Sequence, residues 1–194
     1  MSDYFDRLKF IHLQNRRILD AGVLSLTQQI LSLAQRQSNI WLLGNGGSAS
    51  TVQHFETDLL YLRESDSYFE QWPKVTALAQ NISSLTAASN DVSFTSAFRL
   101  LLARKANPGD LVFVVSASGN SENLVEAVKF AKNKSMKTFA LLGFNGGILK
   151  SLCDEVVVVE SSLGEYGLVE DTHLAFCHAV TEQVKISLIK KGLH

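Results

Sequence analysis

From about Ser2 to Gln37, apolar residues recur at mostly helical spacing: Leu8, Ile11, Leu19, Val23, Leu24, Leu26, Ile30, Leu31 and Leu33. The pattern predicts one long amphipathic helix, interrupted near Ala21-Gly22. A helix of this length ahead of any strand needs a partner surface, and it is expected to pack partly on another subunit, the alternative being an ordinary helix that covers its own sheet. The pattern then changes. Short, nearly continuous apolar runs stand at Ile40 to Leu43, Val75 to Leu78, Leu111 to Val115, Thr138 to Leu142 and Glu155 to Val159. Helical stretches lie between and after them, at about Ala49 to Leu62, Ile82 to Ser89, Val92 to Ala106, Ser121 to Lys134 and Val169 to Lys190. Strands without polar alternation are buried on both faces of a parallel sheet, and their alternation with helices predicts a three-layer α/β sandwich. Pro108-Gly109-Asp110 and Asn145-Gly146-Gly147 read as turns, and the polar stretch Arg63 to Trp72 as a loop on the rim. At 194 residues the chain fits one domain, with residues 1–37 as the helical segment and 38–194 as the α/β core.

Two junctions stand out against this frame. The run Ile40 to Leu43 ends in Gly44-Asn45-Gly46-Gly47-Ser48-Ala49 and passes directly into a helix carrying His54 and Asp58. A strand that delivers a glycine-rich turn to a helix start leaves unpaired N–H groups aimed at one spot, where the helix dipole favours an anion. His54 and Asp58 are four apart and share a helix face, so they can act together on a bound group or hold a metal ion. The alternative for His54 is a helix residue packed at an interface. The turn also satisfies the GxGxxG/A dinucleotide fingerprint. That pattern expects an acidic residue at the end of the second strand, and Ala79-Gln80-Asn81 stands there instead, so nucleotide-dependent dehydrogenation is the minor reading.

The second junction repeats the logic. Leu111 to Val115 runs into Ser116-Ala117-Ser118-Gly119-Asn120-Ser121-Glu122-Asn123. Three serines around a glycine offer hydroxyl and backbone donors to phosphate oxygens, although Ser121 also reads as a plain helix N-cap. Two such turns at the carboxyl ends of parallel strands favour a ligand site, because that edge is where open α/β sheets bind. A third cluster, Glu170-Asp171-Thr172-His173 with His178, lies on the last helix. Helix geometry puts Asp171 almost above His178 and turns Glu170 away by about 80°, which leaves open which carboxylate faces the site.

Eighteen Lys and Arg against 19 Asp and Glu give a formal charge of −1, which argues against an electrostatic nucleic-acid binder. No uncharged apolar run approaches the ~20 residues of a membrane span, and the start of the chain lacks the order of a signal peptide, so a cytoplasmic protein without a membrane partner is expected. Cys153 and Cys177 form no CxxC pair and are expected as buried thiols in a reducing compartment.

With GNGGSAS, QHFETDL, NISSLTAASND, SASGNSEN and VEDTHLAFCH in this order, the chain resembles the SIS (sugar isomerase) phosphosugar-binding family, and within it the phosphoheptose isomerases. The resemblance spans essentially the whole chain. It implies a flavodoxin-like five-stranded parallel sheet, a homotetramer with active sites where subunits meet, and a phosphosugar aldose/ketose isomerase acting through an enediol. It implies phosphate binding by Ser116, Ser118 and Ser121 and sugar contacts from Asn45, Gly46, Ser48 and Asn81. The same resemblance implies a divalent metal, zinc in particular, on His54, Asp58, Glu170 and His178, with Asp58, Glu170 and His178 as the catalytic groups. Asp58 stands where the isomerases usually carry glutamate, Glu170 where they carry glutamine, Leu62 where they carry arginine, and Gly167 where they carry a small polar residue. The rival reading within the same fold is a non-catalytic phosphosugar sensor or adaptor. Both histidines and two carboxylates favour the enzyme.

Overall fold

The computed structural model describes residues 3–62 and 72–190. It is a five-stranded, all-parallel sheet in the order β2-β1-β3-β4-β5, with helices on both faces. The elements run α1 (Tyr4–Arg36), β1 (Ile40–Leu43), α2 (Gly46–Leu60), β2 (Val75–Ala77), a 3-10 turn (Leu78–Gln80), α3 (Ile82–Asp91), α4 (Phe94–Lys105), β3 (Leu111–Ser116), α5 (Glu122–Asn133), β4 (Lys137–Gly143), the single turn α6 (Leu149–Leu152), β5 (Glu155–Val159) and α7 (Tyr166–Lys190). The three layers are those expected from the strand and helix pattern, and the flavodoxin-like five-stranded parallel sheet is the one the family resemblance implies. The stretch expected as a rim loop lies, at residues 63–71, outside the described residues.

Strand pleating divides the apolar side chains between two cores. Ile40, Leu42, Leu111, Phe113, Val115, Phe139, Leu141, Val157 and Val159 face α1, α2 and α7. Trp41, Leu43, Val112, Val114, Ala140, Leu142 and Val158 face α4, α5 and α6. Both faces of the central strands are therefore apolar, which is why these runs show no alternation in the sequence. A line of rings, Phe55 to Phe113 to Phe139 to Phe176, crosses the first core with centroids 5.6, 5.9 and 6.5 Å apart. At the opposite, amino edge of the sheet, the buried Asp110 carboxylate accepts from the Asn39 N–H at 2.8 Å, the Trp41 indole at 2.8 Å and the Asn107 N–H at 2.9 Å. It ties β1 to the Pro108-Gly109-Asp110 turn.

The break expected in the first helix does not occur, and α1 runs unbroken for 33 residues. Gly22 is there for packing: a Cβ on it would lie 2.2 Å from Val157 Cγ2 and 3.2 Å from the Phe176 ring. The unbroken helix thus packs close against β5 and α7. Helix α2 begins at Gly46, three residues before the expected start, and α7 begins at Tyr166. Of the cysteines, Cys177 is buried and Cys153 half-buried, and both are free thiols. Burial pushes Cys153 up to about 12.

His173 is fully buried on α7. Burial pushes its imidazole down to about 4, and the Leu142 carbonyl opposes that shift without making a full hydrogen bond. Two outcomes follow. Gly22→Val should destabilise the fold by about 1–3 kcal/mol through overpacking, read as a shift in denaturation midpoint. Because the folded protein keeps His173 neutral while the unfolded chain takes up a proton below its ordinary 6.5, stability should fall as pH drops from 6.5 towards 4. His173→Leu should flatten that part of the stability profile, and an unchanged acid slope would contradict the assignment.

Candidate active site

The carboxyl ends of β1 and β3 are neighbours, paired in parallel from Ile40 with Leu111 to Leu43 with Val114. From β1 the chain turns onto one face, as α2; from β3 it turns onto the other, as α5. The two exits diverge and leave a crevice between them, the switch point where sheets of this type take ligands. Both Gly/Ser turns border it.

In the first turn, Gly44 admits the close return of α2, since a Cβ there would lie 2.6 Å from the Ser48 carbonyl. Gly46 adopts φ +52°, a conformation glycine takes without strain. The space a Cβ on Gly47 would fill holds the Glu170 carboxylate, with both oxygens 2.5 Å from that position. Glu170 therefore stands at the start of α2, favourably placed against the helix dipole. Ser48 is buried. Asn45 and Asn123 exchange two amide hydrogen bonds, each 2.9 Å, across the crevice, and the Asn123 amide oxygen also accepts from the Leu124 N–H at 3.0 Å. In the sequence Asn123 is an ordinary member of the second turn with no signal of this role. Its pairing with Asn45 depends on the β1–β3 neighbour relation, which no local pattern discloses.

In the second turn, Ser116 Oγ accepts from the Gly119 N–H at 3.1 Å and Ser118 Oγ from the Asn120 N–H at 3.3 Å. Both hydroxyls keep their own proton for another acceptor. Ser121 takes the N-cap position of α5, but its side chain makes no capping hydrogen bond, so the plain capping reading does not account for it. The turn is braced by the Asn145-Gly146-Gly147 loop. A Cβ on Gly119 would lie 2.0 Å from the Gly146 carbonyl, and Asn120 Oδ1 accepts from the Ile148 N–H at 2.9 Å. Asn81, at the carboxyl end of the β2 strand, caps α3 by accepting from the Ser84 N–H at 2.9 Å.

Helices α2 and α7 lie side by side and bring three groups together. His54 Nε2 and His178 Nε2 are 3.1 Å apart, Asp58 Oδ1 is 3.4 Å from His54 Nε2, and Asp58 Oδ2 is 3.8 Å from His178 Nε2. Among the described residues these three form the group able to hold a metal ion. Their separations fit the edges of roughly 3.3 Å expected around a tetrahedral zinc with bonds of about 2.0–2.1 Å. Glu170 stands apart from the three, because eight residues along α7 carry it about 12 Å up the axis from His178 and turn it away. Asp171 does not meet His178 either; it accepts from the Tyr4 hydroxyl at 2.8 Å, which links the start of α1 to the start of α7. Beneath the cluster, burial and secondarily the Asp58 charge push the Cys177 thiol up, so it stays protonated. Glu56, on the buried side of α2, is pushed up by burial while the Ala77 N–H and the Gln80 amide oppose the shift. It pins α2 to the end of β2 next to Asn81.

Comparison with known proteins places these features in a family. The SIS domain family is matched over residues 3–143. A phosphoheptose isomerase of Pelodictyon phaeoclathratiforme is 33% identical over 165 residues, 85% of this chain and 77% of that one. One from Mycobacterium tuberculosis is 31% identical over 175 residues, 90% of this chain and 86% of the relative. The solved phosphoheptose isomerase of Neisseria gonorrhoeae superposes with a TM-score of 0.82 at 26% identity, covering 93% of this chain and 94% of that one.

The Asn45–Asn123 pair joins the two turns across the crevice. Asn123→Asp replaces the donor facing Asn45 Oδ1 by a second acceptor and should cost about 1–3 kcal/mol. Thermal denaturation of Asn123→Asp reads the loss, and a melting temperature equal to that of the unaltered protein would show that the pair does not hold the crevice together.

Proposed function

The chain belongs to the SIS domain family, and we propose on that premise that it interconverts sedoheptulose 7-phosphate and an aldoheptose 7-phosphate. The observation that carries the reading is the joint placement of a serine-lined turn at the carboxyl end of β3 and a His54–Asp58–His178 cluster on α2 and α7. Seven residues, about 10 Å of helix, separate Gly47 at the head of α2 from His54. An extended seven-carbon chain with a terminal phosphate reaches over such a distance. Ser116, Ser118 and Ser121 take the phosphate, while Asn45, Gly46, Ser48 and Asn81 border the sugar between them.

Isomerisation needs a base for a proton on carbon next to a carbonyl and an acid for the oxygens. Asp58 takes a proton from C1 of the ketose. The electron pair of the broken C–H bond becomes the C1–C2 double bond, and the O2 oxygen takes a proton from His178. His178 then takes back a proton from O1 while the protonated Asp58 delivers its proton to C2, which leaves an aldehyde at C1. His54, within hydrogen-bond distance of His178, fixes the ring and its tautomer. A divalent ion, zinc by the nitrogen and carboxylate donors, would be held by His54, Asp58 and His178, and when bound it would polarise the carbonyl in place of the His178 proton.

The protein is proposed to act as a cytoplasmic homotetramer of single-domain subunits with sites where subunits meet. Phe5, Phe10, Leu13 and Leu24 leave apolar surface exposed along α1, and His54 and His178 are themselves exposed; both support a covering subunit. The two free cysteines support a reducing compartment.

Purified protein should convert sedoheptulose 7-phosphate in a coupled assay. His178→Ala should lower kcat by about a hundredfold or more, the ordinary weight of a positioned acid, and Ser118→Ala with Ser121→Ala should raise KM with little change in melting temperature. Tight phosphosugar binding without turnover would favour the sensor instead.

A further inference from the structure

We infer that Glu170 is a specificity-determining residue that acts as a built-in anion at the head of α2 and limits the crevice to ligands with a single phosphoryl group. The inference rests on the reading above only in taking the second turn as the phosphate site. Its basis is the contact at Gly47. The first turn carries the glycines of a dinucleotide fingerprint, and Gly46, Gly47 and Ser48 contribute the free N–H groups of a helix start, since the first return bond of the helix is Ala49 N–H to the Asn45 carbonyl. In a dinucleotide fold the pyrophosphate sits against such donors. Here both Glu170 oxygens lie where a Cβ of Gly47 would be. The place is reserved for a carboxylate of the same chain, delivered by the second turn of α7.

Because Asn45 and Asn123 join the two turns by paired 2.9 Å hydrogen bonds, a phosphoryl group on Ser116 to Ser121 has the head of α2 as its immediate neighbour. A pyrophosphate bridging the turns would set its second phosphoryl group against Glu170, with charge repulsion and loss of space together. A sugar monophosphate extends neutral hydroxyls there instead, and these can donate to the carboxylate. The fingerprint is thereby converted from a pyrophosphate cradle into a filter against nucleotides, sugar diphosphates and other pyrophosphate esters.

The test compares inorganic phosphate with inorganic pyrophosphate by calorimetry on chelator-treated full-length protein, so that neither catalysis nor a metal enters the readout. Glu170→Gln removes the charge at constant size; Glu170→Ala also vacates the space. Each should tighten pyrophosphate relative to phosphate by roughly tenfold, the effect of one like charge at close range in a partly screened site, and the alanine variant should gain more than the glutamine variant. An unchanged affinity ratio in both variants overturns the inference while leaving the isomerase reading intact. Failure of phosphate to bind the unaltered protein overturns the placement of the phosphate and this inference with it. Pyrophosphate binding already tighter than phosphate by a wide margin in the unaltered protein also contradicts the filter.

Discussion

The parallel pairing of β1 with β3, on which the rest of the architecture depends, forces two glycine- and serine-rich exits to lie side by side. The strand order places β2 on the other side of β1, so the helix after β1 and the helix after β3 must leave on opposite faces. A crevice at that edge is a consequence of connectivity, not of any one residue. The residues then specify what it can hold. Gly44 allows α2 to return close to the strand, Gly119 allows the Asn145-Gly146-Gly147 loop to back the second turn, and the Asn45–Asn123 amides fasten the two sides.

Polar groups around the crevice are largely organised before any ligand arrives. Ser116 and Ser118 accept from backbone N–H groups of their own turn, which fixes the two oxygens and leaves each hydroxyl proton for another acceptor. Arrangement of this kind lowers the reorganisation needed on binding. The acid/base cluster is built differently. It is carried on the sides of two parallel helices, and it needs the α2–α7 contact that Phe55, Phe176 and Cys177 secure in the core below. Positional precision for chemistry thus comes from helix packing, and positional precision for phosphate from turn geometry.

Much of this was legible in the sequence. The buried strands announced themselves as unbroken apolar runs because both of their faces are covered, and the two turns were visible as Gly/Ser clusters at strand ends. His54 and Asp58 could be paired from their spacing alone, since a helix fixes the i, i+4 relation. Other features depend on contacts between distant segments. Gly22 looked like a helix break because a glycine tolerated for close packing and one that ends a helix are identical in sequence, and only Val157 and Phe176 across from it make the difference. Asp171 was the geometric candidate to meet His178, yet Tyr4, 167 residues earlier, claims it. Glu170 could be put on a helix near His178 but not against Gly47, which is a relation between two helices. The four residues of α6 carry too short a pattern to be seen.

The central claim is that the phosphate of the substrate lies on the second turn while its carbonyl end lies between Asp58 and His178. A crystal structure of the protein with sedoheptulose 7-phosphate measures this most directly. The account predicts phosphate oxygens within hydrogen-bond distance of Ser116, Ser118 and Ser121, and C1 and C2 beside Asp58 and His178. A phosphate seated instead on Gly46, Gly47 and Ser48 with Glu170 displaced, or a sugar chain that never approaches His178, would contradict it.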